Sequence, residues 1–599
     1  MNQATNGSVK AIYLDKIKAL QQLESQLKSK SKLYLYAKLA FFALMVTSGY
    51  MTVKNPSAEN IVAIVLFLVA YIIAYVLDDK CRKKIDALRR QQQVCNNELS
   101  YLEGNFSHFE TGAEYINPKH EYAYDLDIFG KLSLYNRINR TITKGGSDNL
   151  AQRLTTINQS KSDINNNQEA IMELSKAFDW RVNFMSYQKM ENNIELLSDY
   201  IFRRKYSKFI KSSKMPYVII VATLLMLLLN ILGVLPIFWF ILMWAVQIFI
   251  TILISSISTK TSNGTEKLHK EYSTYLDILR DIEAEEFNSQ LLLEIKSKLF
   301  DPNNSSIHAF NRLSKILNLF EQRNNAILYL ILNGVFLYDI FVIRLFLKWG
   351  EQYLSQVEGW ISCIADIDAL VSFGTYAFNN PDNVLAEVLD DDAENVIEAI
   401  DFYHPFLSHT AAVANSFTLK KGNTAIVTGA NMAGKSTFLR TVGVTYVLAN
   451  NGVPVCAESF KFTPITLFSS MRTTDDLSKD ISYFNAELIR LEQLIEHVKS
   501  NDFTLIILDE ILKGTNSIDK LKGSIMFLEE ISKYNISAVV ATHDLELAKL
   551  EEKENSTYIN YCFEIELSED IKYSYKIENG VAKNLNASFL LSNILKKIQ

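Results

Sequence analysis

From Met215 to Thr259 this 599-residue chain carries no charged residue, a run of 45 positions. No other feature restricts its folding as strongly. A helix rises ~1.5 Å per residue and a bilayer's hydrocarbon layer is ~30 Å thick, so the run holds two spans of about 20 residues each. Gly233 to Pro236 marks a tight turn between them, and Tyr217, Trp239 and Trp244 are aromatics of the kind that favour an interface. Two further apolar runs, Leu39 to Val53 and Ile61 to Leu77, flank Lys54-Asn-Pro-Ser-Ala-Glu-Asn60. With Tyr34, Tyr36 and Lys38 beside them they read as a second transmembrane hairpin; a buried hairpin of a soluble domain is the alternative.

Lysine and arginine set an orientation for both hairpins. Lys28, Lys30 and Lys32 precede the first, and Lys80, Arg82, Lys83, Lys84, Arg89 and Arg90 follow it. Arg203, Arg204, Lys205, Lys208, Lys211 and Lys214 precede the second, and Lys260 and Lys267 follow. Lys54 is the only basic residue in either turn, so all four helix ends that carry charge belong on the cytoplasmic side. A third apolar stretch, Ala326 to Leu347, contains Asn333, Asp339 and Arg344. Charge inside a bilayer is costly, so this stretch is expected to be a core helix of the cytoplasmic part. Residues 1–32 read as a polar, solvated amphipathic helix with Leu20, Leu23 and Leu27 on one face.

Composition excludes several classes. A net charge of −6 gives no global basic field for nucleic acid, so any such contact needs a local patch. The five cysteines are scattered without a C-x-x-C pair, which argues against a disulfide framework and a zinc site. The acidic loop Asp390 to Asp392 with Glu394 reads as a solvated boundary before the last domain.

That last domain holds the chemistry. Gly429-Ala-Asn-Met-Ala-Gly-Lys-Ser436 fits G-x-x-x-x-G-K-S, between an apolar strand at Thr424 to Val427 and a helix from Ser436 to Leu448. Glycines let backbone N–H groups approach phosphate oxygens at the helix's positive end; Lys435 reaches the outer phosphates and Ser436 offers a Mg²⁺ ligand. Ala430, Asn431, Met432, Ala433, Gly434 and Thr437 complete the loop. Thr504-Leu-Ile-Ile-Leu-Asp-Glu510 is a buried strand ending in two acids, with Asp509 placed for Mg²⁺ and Glu510 for the attacking water. Ser537 to Ala541 is a further strand, ending at Thr542-His543, whose imidazole can reach a γ-phosphate. Ser482 opens an amphipathic helix with Phe484, Leu488, Leu491, Ile495 and Val498 on one face. A serine there is an N-cap, or a helix terminus offered to a phosphate held by a second subunit.

Taken together, Thr428-Gly-Ala-Asn-Met-Ala-Gly-Lys-Ser-Thr437, Thr474-Asp-Asp-Leu477, Ser482-Tyr-Phe-Asn-Ala-Glu487, Leu508-Asp-Glu-Ile-Leu-Lys-Gly-Thr-Asn516 and Ala541-Thr-His-Asp-Leu-Glu-Leu547 resemble the MutS family of ABC-type ATPases. The resemblance is strong over 401–599 and weaker at Ser133 to Gly146, Leu150, Leu154 and Asn166 to Ile171, which look like the start of the family's helical core. It implies ATP and Mg²⁺ as ligands, His404 and Asn415 beside the base, a homodimer of ATPase domains in which Ser482 of one chain completes the site of the other, and DNA binding. Two departures stand out. No Phe-x-Glu wedge precedes the first membrane run, Phe41 being the first phenylalanine, and the family's DNA-gripping clamp is matched in position by the second hairpin. Ala433 and Lys513, where glycine and arginine are usual in the family, are compatible with nucleotide binding.

The expected architecture is mixed: an all-α core and lever region with two transmembrane hairpins, then an α/β P-loop domain. Its parts are a polar helix at 1–32, a hairpin at 33–77, a helical region at 78–214, a hairpin at 215–259, core and lever helices at 260–400, and the ATPase domain at 401–599. The expected activity is ATP hydrolysis at a multi-pass cell membrane with the ATPase domain in the cytoplasm, with DNA as a family-implied partner and mismatch preference small. Two other readings compete. An ABC-type transporter lacks its Leu-Ser-Gly-Gly-Gln signature here, and a scaffold with a vestigial ATPase sits poorly with intact Lys435, Ser436, Asp509, Glu510 and His543.

Overall fold

A computed structural model describes residues 2–191, 213–256, 262–302, 304–321, 326–407, 411–472, 483–567 and 571–583. The fold is mixed α/β, helical through its N-terminal part and α/β at its C-terminal end. The chain forms two compact units, one of residues 1–140, 149–182 and 370–599, the other of 141–148 and 183–369.

In the first unit, α1 (Asn2–Lys54) and α2 (Ala58–Leu102) form a long antiparallel hairpin. Asn55-Pro56 ends α1 because proline cannot continue a helix, and Ser57 restarts the chain by accepting the Asn60 N–H at its N-cap. The expectation of a separate solvated helix at 1–32 is corrected: α1 passes residue 32 without a break. Its inward face is Val9, Tyr13 and Leu20, with Glu24 buried a turn further on, whereas Leu23 is exposed. Tyr13 packs edge-on against Phe178 and Phe378 and donates from Oη to Asn379 Oδ1 at 2.9 Å. Asn379 Nδ2 donates to Glu98 Oε2 at 2.7 Å, and Arg140 Nε meets Glu98 Oε1 at 2.5 Å, so a buried polar network roots the hairpin. Higher up, Asp78 takes Ser31, Lys38 and Arg82, and beyond that point the helices expose mainly apolar side chains such as Leu66, Val62 and Phe42.

The C-terminal part of this unit contains two sheets. The smaller is ordered β1-β5-β2-β3, with β1 (Glu387–Val388), β2 (Asn395–Phe402), β3 (Asn415–Lys420) and β5 (Ser459–Phe462). The larger is ordered β10-β9-β4-β8-β7-β6, with β4 (Thr424–Gly429), β6 (Thr466–Ser470), β7 (Thr504–Asp509), β8 (Ile536–Thr542), β9 (Tyr558–Leu567) and β10 (Ile571–Asn579). All pairs of the larger sheet are parallel except β9 with β10. Strands β4 and β8 are buried along their whole length, as continuous apolar runs of a sheet covered on both faces require.

In the second unit, α7 (Met215–Ile231) and α8 (Ile237–Ser256) form a hairpin closed at Gly233, where φ is 73°, and by Asn230 Nδ2 donating to Leu235 O at 3.1 Å. Its outward side chains, Val221 and Phe249 among them, are apolar and exposed, while Thr223, Gln247 and Thr251 are buried inside, with Gln247 Nε2 donating to Thr223 Oγ1. Below it, α9 (Ser262–Ala284), α10 (Gln290–Leu299), α11 (Ser306–Glu321) and α13 (Tyr338–Asn379, leaving this unit after Ala369) carry the amphipathic cores. The expected single core helix over Ala326 to Leu347 is also corrected. It is broken at Leu337, where φ is 47°, into α12 (Ala326–Phe336) and the start of α13. Asn333 Oδ1 accepts the Asp339 N–H at 2.9 Å and fixes the break. Only the α13 side is core, with Ile340, Ile343 and Phe346 buried; α12 exposes Ile327 and Ile331.

The shorter helices α3 (Leu134–Ile138), α4 (Lys144–Thr155), α5 (Lys161–Lys176) and α6 (Phe178–Met185) connect these parts along the chain. Among the described residues, three helices are long and apolar enough to cross a membrane: Gly7–Lys54, Ala58–Leu102 and Tyr338–Asn379, the last of which is largely buried in protein.

Candidate functional site

Parallel strands bring their C-terminal ends to one edge, which is where open α/β sheets bind ligands. Here β4, β7 and β8 are adjacent, so Gly429, Asp509 and Thr542 end on that edge together. The loop after β4 turns through Gly429, Met432 and Gly434 with φ of 151°, 67° and 110°, and α14 (Lys435–Asn450) starts immediately. At Gly429 a β-carbon would stand 2.9 Å from the Phe563 carbonyl oxygen, so the tight approach of β9 leaves space for glycine alone. Ala430 and Ala433 are buried, whereas Asn431, Met432, Ser436 and Thr437 face out.

Lys435 is 6% exposed, and its Nζ donates to Gly429 O at 2.7 Å and Ala430 O at 2.9 Å. Burial lowers its pKa, opposed by the carboxylates of Glu510 and Asp509. The ammonium thus bends back over a loop that is ready for anionic oxygens in place of its own carbonyls.

Glu510 lies just past β7 at a φ of 59°, a left-handed conformation costing ~1–3 kcal/mol for a non-glycine residue, and Leu512 repeats it at 58°. Glu510 N–H donates to Ala541 O at 2.9 Å, which pins the strained turn to β8. His543 Nδ1 lies 2.5 Å from Glu510 Oε1, and Lys520 Nζ is 3.5 Å from both Glu510 Oε2 and His543 Nε2. Burial raises the Glu510 pKa, but the hydrogen bond and charge of His543, with Lys520 and Lys513, bring it below the usual carboxylate range.

Beside Gly434 opens a cavity of about 300 Å³ lined by Phe402, His404, Asn415, Phe438, Phe563 and Tyr575, among others. Five aromatic rings, Phe402, Tyr403, Phe438, Phe563 and Tyr575, line it, the kind of surface that accepts a flat heterocycle. His404 Nδ1 accepts the Phe406 N–H at 3.1 Å; burial, then Arg440 and Arg137, push its pKa down to about 4, so the ring is neutral. Asn415 borders the cavity with its amide already committed: Oδ1 accepts Ile577 N–H at 2.8 Å and Nδ2 donates to Tyr575 O at 3.1 Å. It holds the wall in place.

The sheet edge therefore gathers Gly429 to Thr437, Asp509, Glu510 and His543, with His404 and Asn415 on the adjoining cavity. Ser482 and Thr474 to Leu477 lie outside the described residues, as do Arg203 to Lys211. Sequence reasoning missed four contributors. Lys520 sits on α16 (Ser517–Ile531); Glu487, on α15 (Tyr483–Ser500), accepts the N–H groups of Lys513 at 3.0 Å and Gly514 at 3.4 Å. Phe563 and Tyr575 come from strands more than 120 residues beyond the loop. For Glu487 the signal was its place five residues after Ser482. On α15 the buried face is Leu491, Leu494 and Val498; Phe484 and Leu488 remain exposed.

The P-loop helix is also tied to the N-terminal part of its unit. Asp127 pairs with Arg440 on α14 at 3.2 Å and with both Arg472 nitrogens at 2.6 and 2.7 Å, while Asp125 accepts from Ser469 Oγ at 2.8 Å.

A glycine loop between a buried central strand and a helix, flanked by an acid pair and a histidine on neighbouring strand ends, marks the functional edge of this α/β domain. Comparison with known proteins is consistent with that geometry: MutS domain V matches residues 425–590. The DNA mismatch repair protein MutS of Acetivibrio thermocellus is 34% identical over 240 residues, which are 39% of this chain and 27% of that protein. The protein of the same name from Lysinibacillus sphaericus is 30% identical over 258 residues, 41% of this chain and 28% of its own. The MutS protein homolog 4 of Mus musculus is 28% identical over 257 residues, 39% and 26% respectively. The C-terminal region of this chain belongs to the MutS family. The match spans about a quarter of the length of these relatives.

Proposed function

We propose that this chain is a membrane-embedded, MutS-type ATP hydrolase that works as a homodimer through its ATPase domains. The observation that carries this is the meeting of Lys435, Asp509, Glu510 and His543 on one sheet edge beside a glycine loop.

In this reading the Gly429 to Thr437 backbone cradles the triphosphate and Lys435 exchanges its carbonyl partners for phosphate oxygens. The aromatic cavity takes the base against His404, with Asn415 holding its wall. Ser436 and Asp509 would hold Mg²⁺, which supplies charge neutralisation at the phosphates. Glu510, kept ionised by its neighbours, orients the water that attacks the γ-phosphorus in line with the departing diphosphate. His543 and Lys520 fix the Glu510 carboxylate, and Ser482 of the partner subunit completes the site. Positioning and electrostatics are the catalytic terms.

Hairpins 33–77 and 215–259 anchor the chain in a cell membrane with the ATPase domain on the cytoplasmic side. Their exposed apolar side chains and charge-free spans support this reading. Two of these relatives are named DNA mismatch repair proteins; for this chain we propose salt-sensitive, sequence-independent DNA contact with little mismatch preference. ATP hydrolysis by the detergent-purified protein, with and without duplex, mismatched and branched DNA, tests the whole reading. Stimulation by duplex DNA supports it, and clear selectivity for the mismatch overturns the DNA part. ATP-driven solute transport in proteoliposomes would instead favour a transporter.

A further inference from the structure

The short helix α12 is charge-free, Ala-Ile-Leu-Tyr-Leu-Ile-Leu-Asn-Gly-Val-Phe, and belongs to neither the core nor the hairpin turn. Ile327 is 72% exposed and Ile331 53%, with Leu330 and Phe336 also exposed. An apolar face this open is unfavourable in water. Its other face is packed: Gly334 sits against the Trp244 ring of α8 so closely that an added β-carbon would fall 2.1 Å from Nε1. Its one strongly polar side chain, Asn333, is fully buried and bonded to Asp339. Outward it shows only apolar groups and a tyrosine, continuous with the outer faces of α7 and α8.

The two ends of this excursion lie together. Tyr338 Oη donates to Leu319 O at 3.2 Å, and Phe320 packs edge-on against Phe346 at 5.9 Å. Arg344 donates to Ser213 O at 2.6 Å, and Tyr217 packs on Phe341 at 5.0 Å, so the start of α13 is level with the charged entry of α7. The chain leaves and returns at that level. Eleven residues make a helix of ~16 Å, half the ~30 Å hydrocarbon layer.

We propose that α12 is a re-entrant membrane helix, entering and leaving the bilayer on one side with Ile327, Leu330 and Ile331 against lipid acyl chains. This rests on the membrane reading of α7 and α8. It makes the bilayer contact of the second unit a three-helix element.

The test uses full-length protein with Cys363→Ser, the other four cysteines being buried. A fluorophore is attached at Ile331→Cys, or at Phe249→Cys on α8 as the control, and the protein is reconstituted in phosphatidylcholine vesicles with nitroxide-labelled lipid. The expected result is loss of fluorescence at position 331 as strong as at 249. Quenching at 249 with none at 331 overturns the proposal alone, whether an aqueous quencher then reaches 331 or a second protein copy covers it. No quenching at either position overturns the membrane reading itself, and the proposal with it.

Discussion

The two hairpins meet the same requirement, an apolar exterior, in opposite ways. In the first, helices of 53 and 45 residues run unbroken from exposed apolar surface to the buried network of Tyr13, Asn379, Glu98 and Arg140. That network belongs to the unit that also carries the P-loop. In the second, helices of 17 and 20 residues hold no charge; an internal Gln247–Thr223 contact joins them, and Trp244 packs on Gly334 of α12. The first is built as a stiff extension of a folded core, the second as an apolar plug.

The largest effect belongs at the site. Glu510→Gln keeps the side chain's shape but removes its charge, and is expected to lower steady-state ATP hydrolysis ~100-fold or more while leaving nucleotide binding intact. Next comes the difference between the hairpins. Glu98→Ala leaves Arg140 buried without its carboxylate, at a cost of ~3–5 kcal/mol in thermal unfolding of the detergent-purified protein. Replacing Gln247 by Leu together with Thr223 by Val removes both partners of the internal contact, and with them a Gln247 Oε1 that has no hydrogen-bond partner, so about zero change is expected. Equal losses from the two sets would erase the distinction.

A smaller, more specific effect is predicted for Lys520→Met. Losing a positive charge 3.5 Å from Glu510 raises the carboxyl's pKa, so the acidic limb of the pH–rate profile should move to higher pH, with a roughly tenfold rate loss on that limb. An unchanged profile would make Lys520 merely structural. The smallest effect lies at the base of the first hairpin. Hydrogen bonds from Lys28, Arg89 and Gln92 hold Glu24 down at about 2, against an unperturbed 4.5. A depressed carboxyl contributes its stability above the unfolded pKa and loses it as pH falls through the folded one. Protection of amides in α1 and α2 near Glu24, measured against the intrinsic exchange rate at each pH, should therefore fall between pH 4.5 and 2, and should not in Glu24→Gln.

How far the sequence foretold this depended on how locally each feature is encoded. The loop at Gly429 and the acids at Asp509 and Glu510 are short motifs at strand ends, and the parallel sheet brings them together. The cavity beside Gly434 was half legible: His404 and Asn415 stood out in the sequence, but Phe563 and Tyr575 arrive through strand pairing that no spacing announces. Asn415 lines the cavity, yet its amide serves β10. The continuity of α1 was hidden because its lower half is highly charged and looks solvated, although Val9, Tyr13, Ile17 and Leu20 keep helical spacing. The break at Leu337 was hidden for a different reason: a leucine in the left-handed region carries no turn signal.

ATP hydrolysis measured across a flotation gradient, after alkaline carbonate extraction of proteoliposomes, tests the central claim most directly. The account predicts that floated, carbonate-resistant protein carries the hydrolytic activity, and that Glu510→Gln floats equally without it. Activity recovered with soluble protein, or floated wild type no faster than floated Glu510→Gln, would contradict it.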